Sequence, residues 1–123
     1  MPFVCLGAVV LFLLFFAASL QIGEDVRKQC DVARQIYGGD CVEGLIETLH
    51  DETQSFKTRN SAVWALGQMG DSRALPELQK YYTGNIPSKE SLDRGFSQYE
   101  LKKAIHLTSG GLNITAFVWR DGL

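Results

Sequence analysis

The run Arg59-Asn60-Ser61-Ala62-Val63-Trp64-Ala65-Leu66-Gly67-Gln68-Met69-Gly70-Asp71-Ser72-Arg73-Ala74-Leu75-Pro76-Glu77-Leu78 decides the fold. Ala62, Ala65, Leu66 and Met69 share one side of a helix expected over Thr58 to Met69, with Val63 and Trp64 beside them. The two alanines let a neighbouring helix approach closely, and Gly67 relieves crowding at the same place. Gly70 suits the left-handed conformation that ends helices, and Asp71 stands ready to cap the next one. That next helix is expected from Ser72 to Tyr82, with Leu75, Leu78 and Tyr82 inward. Pro76 falls in or just after its first turn, where a missing N–H does least harm.

The same pattern occurs upstream. Asp25 to Tyr37 places Val26, Ala33, Ile36 and Tyr37 roughly at helical spacing and stops at Gly38-Gly39. Asp40-Cys41-Val42-Glu43 has the form of a capping box, and the helix it opens carries Val42, Leu45, Ile46 and Leu49 in one apolar stripe. A shift of 32 residues lays Val42, Ile46 and Leu49 over Ala74, Leu78 and Tyr81, and each helix follows a Gly-Asp pair. One helical pair therefore occurs twice, as in helical solenoids. Downstream, Gly84-Asn85-Ile86-Pro87 breaks the pattern. Ser97-Gln98-Tyr99-Glu100 then supplies a second capping box, for a helix through Leu107 with Leu101, Ala104, Ile105 and Thr108 inward. The tail Leu112 to Trp119 is apolar and β-branched, and is expected to lie extended over the last helices.

The quoted run resembles the HEAT-like repeat of the phycobilisome-lyase type. In that pattern an Arg is followed by Ala-x-x-Ala-Leu-Gly, then Gly-Asp-x-Arg-Ala, then Pro and Leu. Arg59, Ala62, Ala65-Leu66-Gly67, Gly70-Asp71, Arg73-Ala74, Pro76 and Leu78 carry the likeness. It is strong over the 20 residues of this run and weak over about 70 residues of the chain. The resemblance implies an all-α fold, a short HEAT-like α-solenoid of about two helical pairs plus a leading helix. It also implies a surface for binding other proteins, in a small bacterial form that is targeted to a membrane or exported. A minority of relatives attach or modify chromophores, which leaves an accessory of the chromophore-lyase kind as the alternative. The interruption from Thr83 to Phe96 departs from the family pattern.

The N-terminus is a different material. Every Asp, Glu, Lys and Arg lies at or after Glu24, and Phe3 to Leu20 is an unbroken apolar or small-residue run. As a helix it spans roughly 27 Å, close to the thickness of a hydrocarbon core. Residues 1–22 are thus expected to be a signal peptide or transmembrane anchor, 25–109 a HEAT-like helical domain and 110–123 an extended C-terminal segment. Ala17-Ala18-Ser19 offers small residues for cleavage, but no basic residue precedes the run. Arg27 and Lys28 favour a cytoplasmic body, while Glu24 and Asp25 beside them blunt that bias. Export or anchoring with the body on the periplasmic or extracellular side is the favoured reading, and a cytoplasm-facing anchor is the other.

Cys30 and Cys41 lie at a spacing that a helical hairpin can bring together across Gly38-Gly39, either as a disulfide or as two buried thiols. Cys5, inside the apolar run, reads as a small hydrophobe.

Little in the sequence points to catalysis. His50 and His106 lack partners at metal-ligand spacing and read as surface residues. No nucleophile elbow or phosphate cradle is present. The 14 acidic residues outnumber the 12 basic ones, and the bases are scattered, which argues against nucleic-acid binding. The expectation is a non-enzymatic module with no cofactor, no metal and no small-molecule substrate. Its partner is a protein, and it contacts a membrane through the N-terminal segment. Trp64, Tyr82, Phe96 and Tyr99 are the candidate partner-binding residues, because aromatic anchors dominate protein interfaces. They belong to a face built from the third, fourth and fifth helices and the Thr83 to Phe96 link.

Overall fold

The computed structural model describes residues 2–120, and among these no strand occurs. The chain folds as α1 (Pro2–Tyr37), α2 (Cys41–His50), α3 (Phe56–Met69), a 3-10 turn (Ser72–Ala74), α4 (Leu75–Gln79), α5 (Gln98–Thr108) and α6 (Ala116–Trp119). It is an all-helical, short HEAT-like arrangement behind a long apolar helix.

The change of composition near residue 23 is no break in the backbone. One helix runs from the apolar segment through to Tyr37, where Gly38 and Gly39 at φ 76° and 71° end it. Its packing side is Ser19, Gly23, Val26, Cys30 and Ala33, alternately four and three residues apart, a stripe that stays on one face. Ile36, expected inward, is 57% exposed, because that stripe continues through the partly buried Tyr37 and leaves Ile36 on the flank. The apolar end is bare: an 18-residue window of mean hydropathy 2.8 within α1 is only 6% buried. It is no core helix.

Asp40 caps α2 as expected. Its carboxylate accepts from the Glu43 N–H at 2.9 Å, and the Glu43 side chain accepts from the Asp40 N–H at 3.3 Å. Ser55 caps α3, which starts two residues before the expected Thr58. Gly70, at φ 66°, ends it. The following helix is shorter than the expected Ser72 to Tyr82. Pro76 cannot donate to the helical ladder, so the segment opens as a 3-10 turn with Leu75 N–H bonded to the Ser72 carbonyl. It closes through bonds from Tyr81 to Leu78 and from Tyr82 to Gln79. Ala74 and Leu78 are fully buried there, and Leu75 only partly.

The box at Ser97 is one-sided. Ser97 Oγ accepts from the Glu100 N–H at 3.1 Å, but the Ser97 N–H is taken by Asn60 Oδ1 at 2.8 Å instead of Glu100. Asn60 also donates to the carbonyls of Leu92 and Gly95, and Glu90 accepts from Ser97 Oγ and the Gln98 N–H. The long link is thereby fastened to α3 and to the start of α5. Leu45, Leu49, Val63, Leu66, Leu78 and Leu101 fill the centre, and full burial of each stabilises by about 1.5–3 kcal/mol.

The tail is not the extended segment expected over 110–123. Ala116, Phe117 and Val118 donate to carbonyls three residues back, and Ala116–Trp119 forms a helical turn. A lone strand has no partner for its backbone, whereas a turn satisfies its own. Ala116 and Trp119, three apart, are both buried, with Trp119 set against Gly23 of α1. The part of this segment at residues 121–123, like residue 1 of the expected anchor, lies outside the described residues.

Candidate functional site

Helices α3 and α5 approach closely through Gly67, where an added Cβ would stand 2.8 Å from Ala104 Cα. Outside this contact they part into a groove of about 480 Å³ lined by Trp64, Gln68, Tyr99, Lys103, His106 and Leu107, among others. Trp64 is half-buried and Tyr99 is 53% exposed. Lys103 Nζ lies 4.8 Å from the centre of the Tyr99 ring and 3.3 Å from the Glu100 carboxylate. The groove is thus apolar with an ionic rim, a composition suited to an inserted side chain or helix face.

Of the four aromatic candidates, the structure brings Trp64 and Tyr99 together and places the other two elsewhere. Phe96 packs edge-on to Phe56, with ring centres 5.5 Å apart, and against Tyr81 at 4.5 Å. Arg59 lies over both Phe56 and Phe96, at 5.0 and 4.6 Å. Buried to 6% exposure, Arg59 also donates from Nε to the Leu49 carbonyl at 3.0 Å, closing the end of α2. Tyr82 packs on the core without lining the groove.

Two polar networks join the helical pairs. Arg73 donates to Asp71 at 2.9 Å and to Asp40 at 2.8 Å, linking the caps that begin the two repeated helices. Asp71 is held below the usual carboxylate range mainly by its bond from Arg73. Asp40 is lowered mainly by the Glu43 N–H and then by Arg73, and the guanidinium is raised in turn. The second network was not legible in the sequence. His50, expected at the surface, is half-buried with Nδ1 2.6 Å from the Tyr81 hydroxyl and Nε2 2.5 Å from Glu77. Lys80 completes it at 2.9 Å from Glu77, whose carboxyl is lowered by Lys80 first and His50 second. Only the Glu77-Lys80 spacing of three carries a local signal, since His50 lies 27 positions from Glu77. Among the described residues no group of three His, Cys, Asp or Glu side chains is placed to hold a metal.

Cys30 and Cys41 are joined as a disulfide, with Cα atoms 4.9 Å apart, fastening α1 to the start of α2. The Met69 thioether lies 3.4 Å from Cys41 Sγ, and Cys5 is free and exposed.

These features define a helical-repeat protein with a membrane-length helix at its N-terminus. The family model described as PBS lyase HEAT-like repeat matches residues 58–83, which run from the first turn of α3 through the 3-10 turn and α4 to the residues just after it. The chain therefore contains a HEAT-like repeat at the segment that carries the Ala-x-x-Ala-Leu-Gly and Gly-Asp-x-Arg-Ala pattern. No curated protein and no solved structure matches the chain.

Proposed function

We propose that this chain is a non-enzymatic protein-binding module tethered by α1 to a membrane, with its helical body on the oxidising side. The observation that carries the reading is the groove between α3 and α5, where Trp64 and Tyr99 line one apolar cleft beside a HEAT-like repeat. Repeats of this kind bind proteins on surfaces between stacked helices, and aromatic anchors in clefts supply most interface energy. The bare apolar end of α1 is too long and too exposed to belong to the body's core, and its length suits a bilayer. The Cys30–Cys41 pair favours the oxidising side, since cytoplasmic thiols are kept reduced. The chromophore-lyase alternative has only the family name behind it, and pigment bound to the purified protein would favour it.

A photo-crosslinking residue at Tyr99 in the full chain, expressed in cells, is expected to capture a specific protein adduct. The same residue at Gln35, exposed on α1 and outside the groove lining, is expected not to. Equal labelling from both positions would overturn the groove as the binding surface. Intact mass after thiol alkylation tests the membrane side: full length with Cys5 alone modified is expected, and three modified thiols would place the body in the cytoplasm. A mass short of the apolar segment would make α1 a signal peptide instead of an anchor.

A further inference from the structure

We infer that the C-terminal segment 112–119 is a second membrane contact, lying in the interface of the same bilayer that α1 enters. The inference rests on the reading of α1 as an anchor. The tail meets α1 where the apolar run ends: Trp119 packs on Gly23, and Leu20 shares a cleft of about 240 Å³ with Val118 and Trp119. Ser19, one turn earlier on the packing stripe, is fully buried, so the body reaches the last turn of the apolar run. Gly23 follows Leu20 by three residues, roughly 4.5 Å along the helix. A bilayer that covers Phe3 to Leu20 therefore has its headgroup boundary at the level of α6.

The exposed side chains of the tail are apolar. Phe117 is 78% exposed, Leu112 71% and Ile114 58%, and Leu112 and Phe117 line one cleft. Residues 112–119 include no Asp, Glu, Lys or Arg, whereas Arg120 follows at once. Large apolar groups in water on a short tail are a liability in a soluble protein. At the acyl boundary the same groups are buried, as on helices that lie in the membrane plane. Trp119 joins the two elements, so the body would be held against the bilayer at two points and could not swing freely about α1. That fixes which way the groove between α3 and α5 faces.

The test uses the full chain in phosphatidylcholine vesicles with a single tryptophan, against acyl chains brominated near the ester or near the chain end. With Trp64→Phe and Trp119→Phe as background, Phe117→Trp reports on the tail and Phe12→Trp on the anchor. Phe117→Trp is expected to emit blue-shifted and to lose most of its emission to bromines near the ester. Phe12→Trp is expected to lose its emission to the deep bromines. Emission from Phe117→Trp that is unquenched and red-shifted, while Phe12→Trp is quenched, would overturn this inference and leave the anchor standing. Unquenched Phe12→Trp would overturn the anchor itself. Circular dichroism of each variant in the same vesicles checks that the fold is kept.

Discussion

Arg73 donates to Asp40 across 33 positions of sequence at 2.8 Å, so one guanidinium ties the cap of α2 to the cap at Asp71 that opens the second repeated helix. Because Asp40 and Asp71 are both lowered in the fold, this contribution is complete above the ordinary carboxylate range. It is lost as pH falls through the depressed values. Replacing Arg73 by Met is expected to lower Tm most at neutral pH. The difference from the parent chain should vanish in acid and shrink in high salt, since Arg73 and Asp40 are both half exposed. A Tm difference that stays constant across the acid range would refute the linkage.

Gly67→Ala is expected to destabilise. In an open helix the change stabilises by about 0.5–1 kcal/mol, but here the new Cβ would meet the Ala104 backbone at 2.8 Å. Backbone gives way only if α5 moves, so a net loss of about 1–3 kcal/mol is predicted. Urea unfolding of the full chain in detergent, followed by circular dichroism, measures it, and a gain in midpoint would mean that the two helices sit further apart.

Removing both bridged thiols, as Cys30→Ser with Cys41→Ser, frees a loop with a sequence separation of 11. The expected loss is about 3 kcal/mol in the chain-entropy account. Adding reductant to the parent chain should reproduce most of that loss and leave the double variant unchanged. If reductant moves both equally, the effect does not come from this bridge.

Trp119 is 4% exposed, and its indole N–H has no hydrogen-bond partner among the described residues. Trp119→Phe keeps most of the ring against Gly23 and removes an unsatisfied donor, so it is expected to be near neutral. Trp119→Ala should cost about 3 kcal/mol or more, by opening a cavity between α6 and α1. Equal losses from the two variants would show that the N–H has an acceptor after all.

The repeat itself was readable because each of its devices is local. Gly70, Asp71 and the Asp40–Glu43 box act over four residues or fewer, and the alanine side of α3 follows from helical period alone. Where a helix end depends on a distant partner, the local pattern does not reveal it. Ser97 and Glu100 have the spacing of a reciprocal pair, but Asn60, 37 positions away, takes the Ser97 N–H. The β-branched composition of the tail points to an extended segment and gives no sign that Gly23 offers Trp119 a seat.

The candidate site divides in the same way. Trp64, Tyr82 and Tyr99 stand on expected helices and Phe96 at the end of the link, and nothing local in the sequence ranks one above another. Only the crossing of α3 and α5 at Gly67 and Ala104 separates the pair that lines a cleft from the pair that packs inward. His50 gave no signal, since its partners come from α4 and the turn after it. The sequence alone determined α2, α3 and α5, the Asp40 and Asp71 caps, the repeat at α3 and a membrane-length apolar segment, because capping and periodicity are set within a turn or two of chain. The tertiary structure decided which aromatic residues meet, where the tail docks and which polar groups pair, because those depend on distances between residues that the chain brings together only on folding.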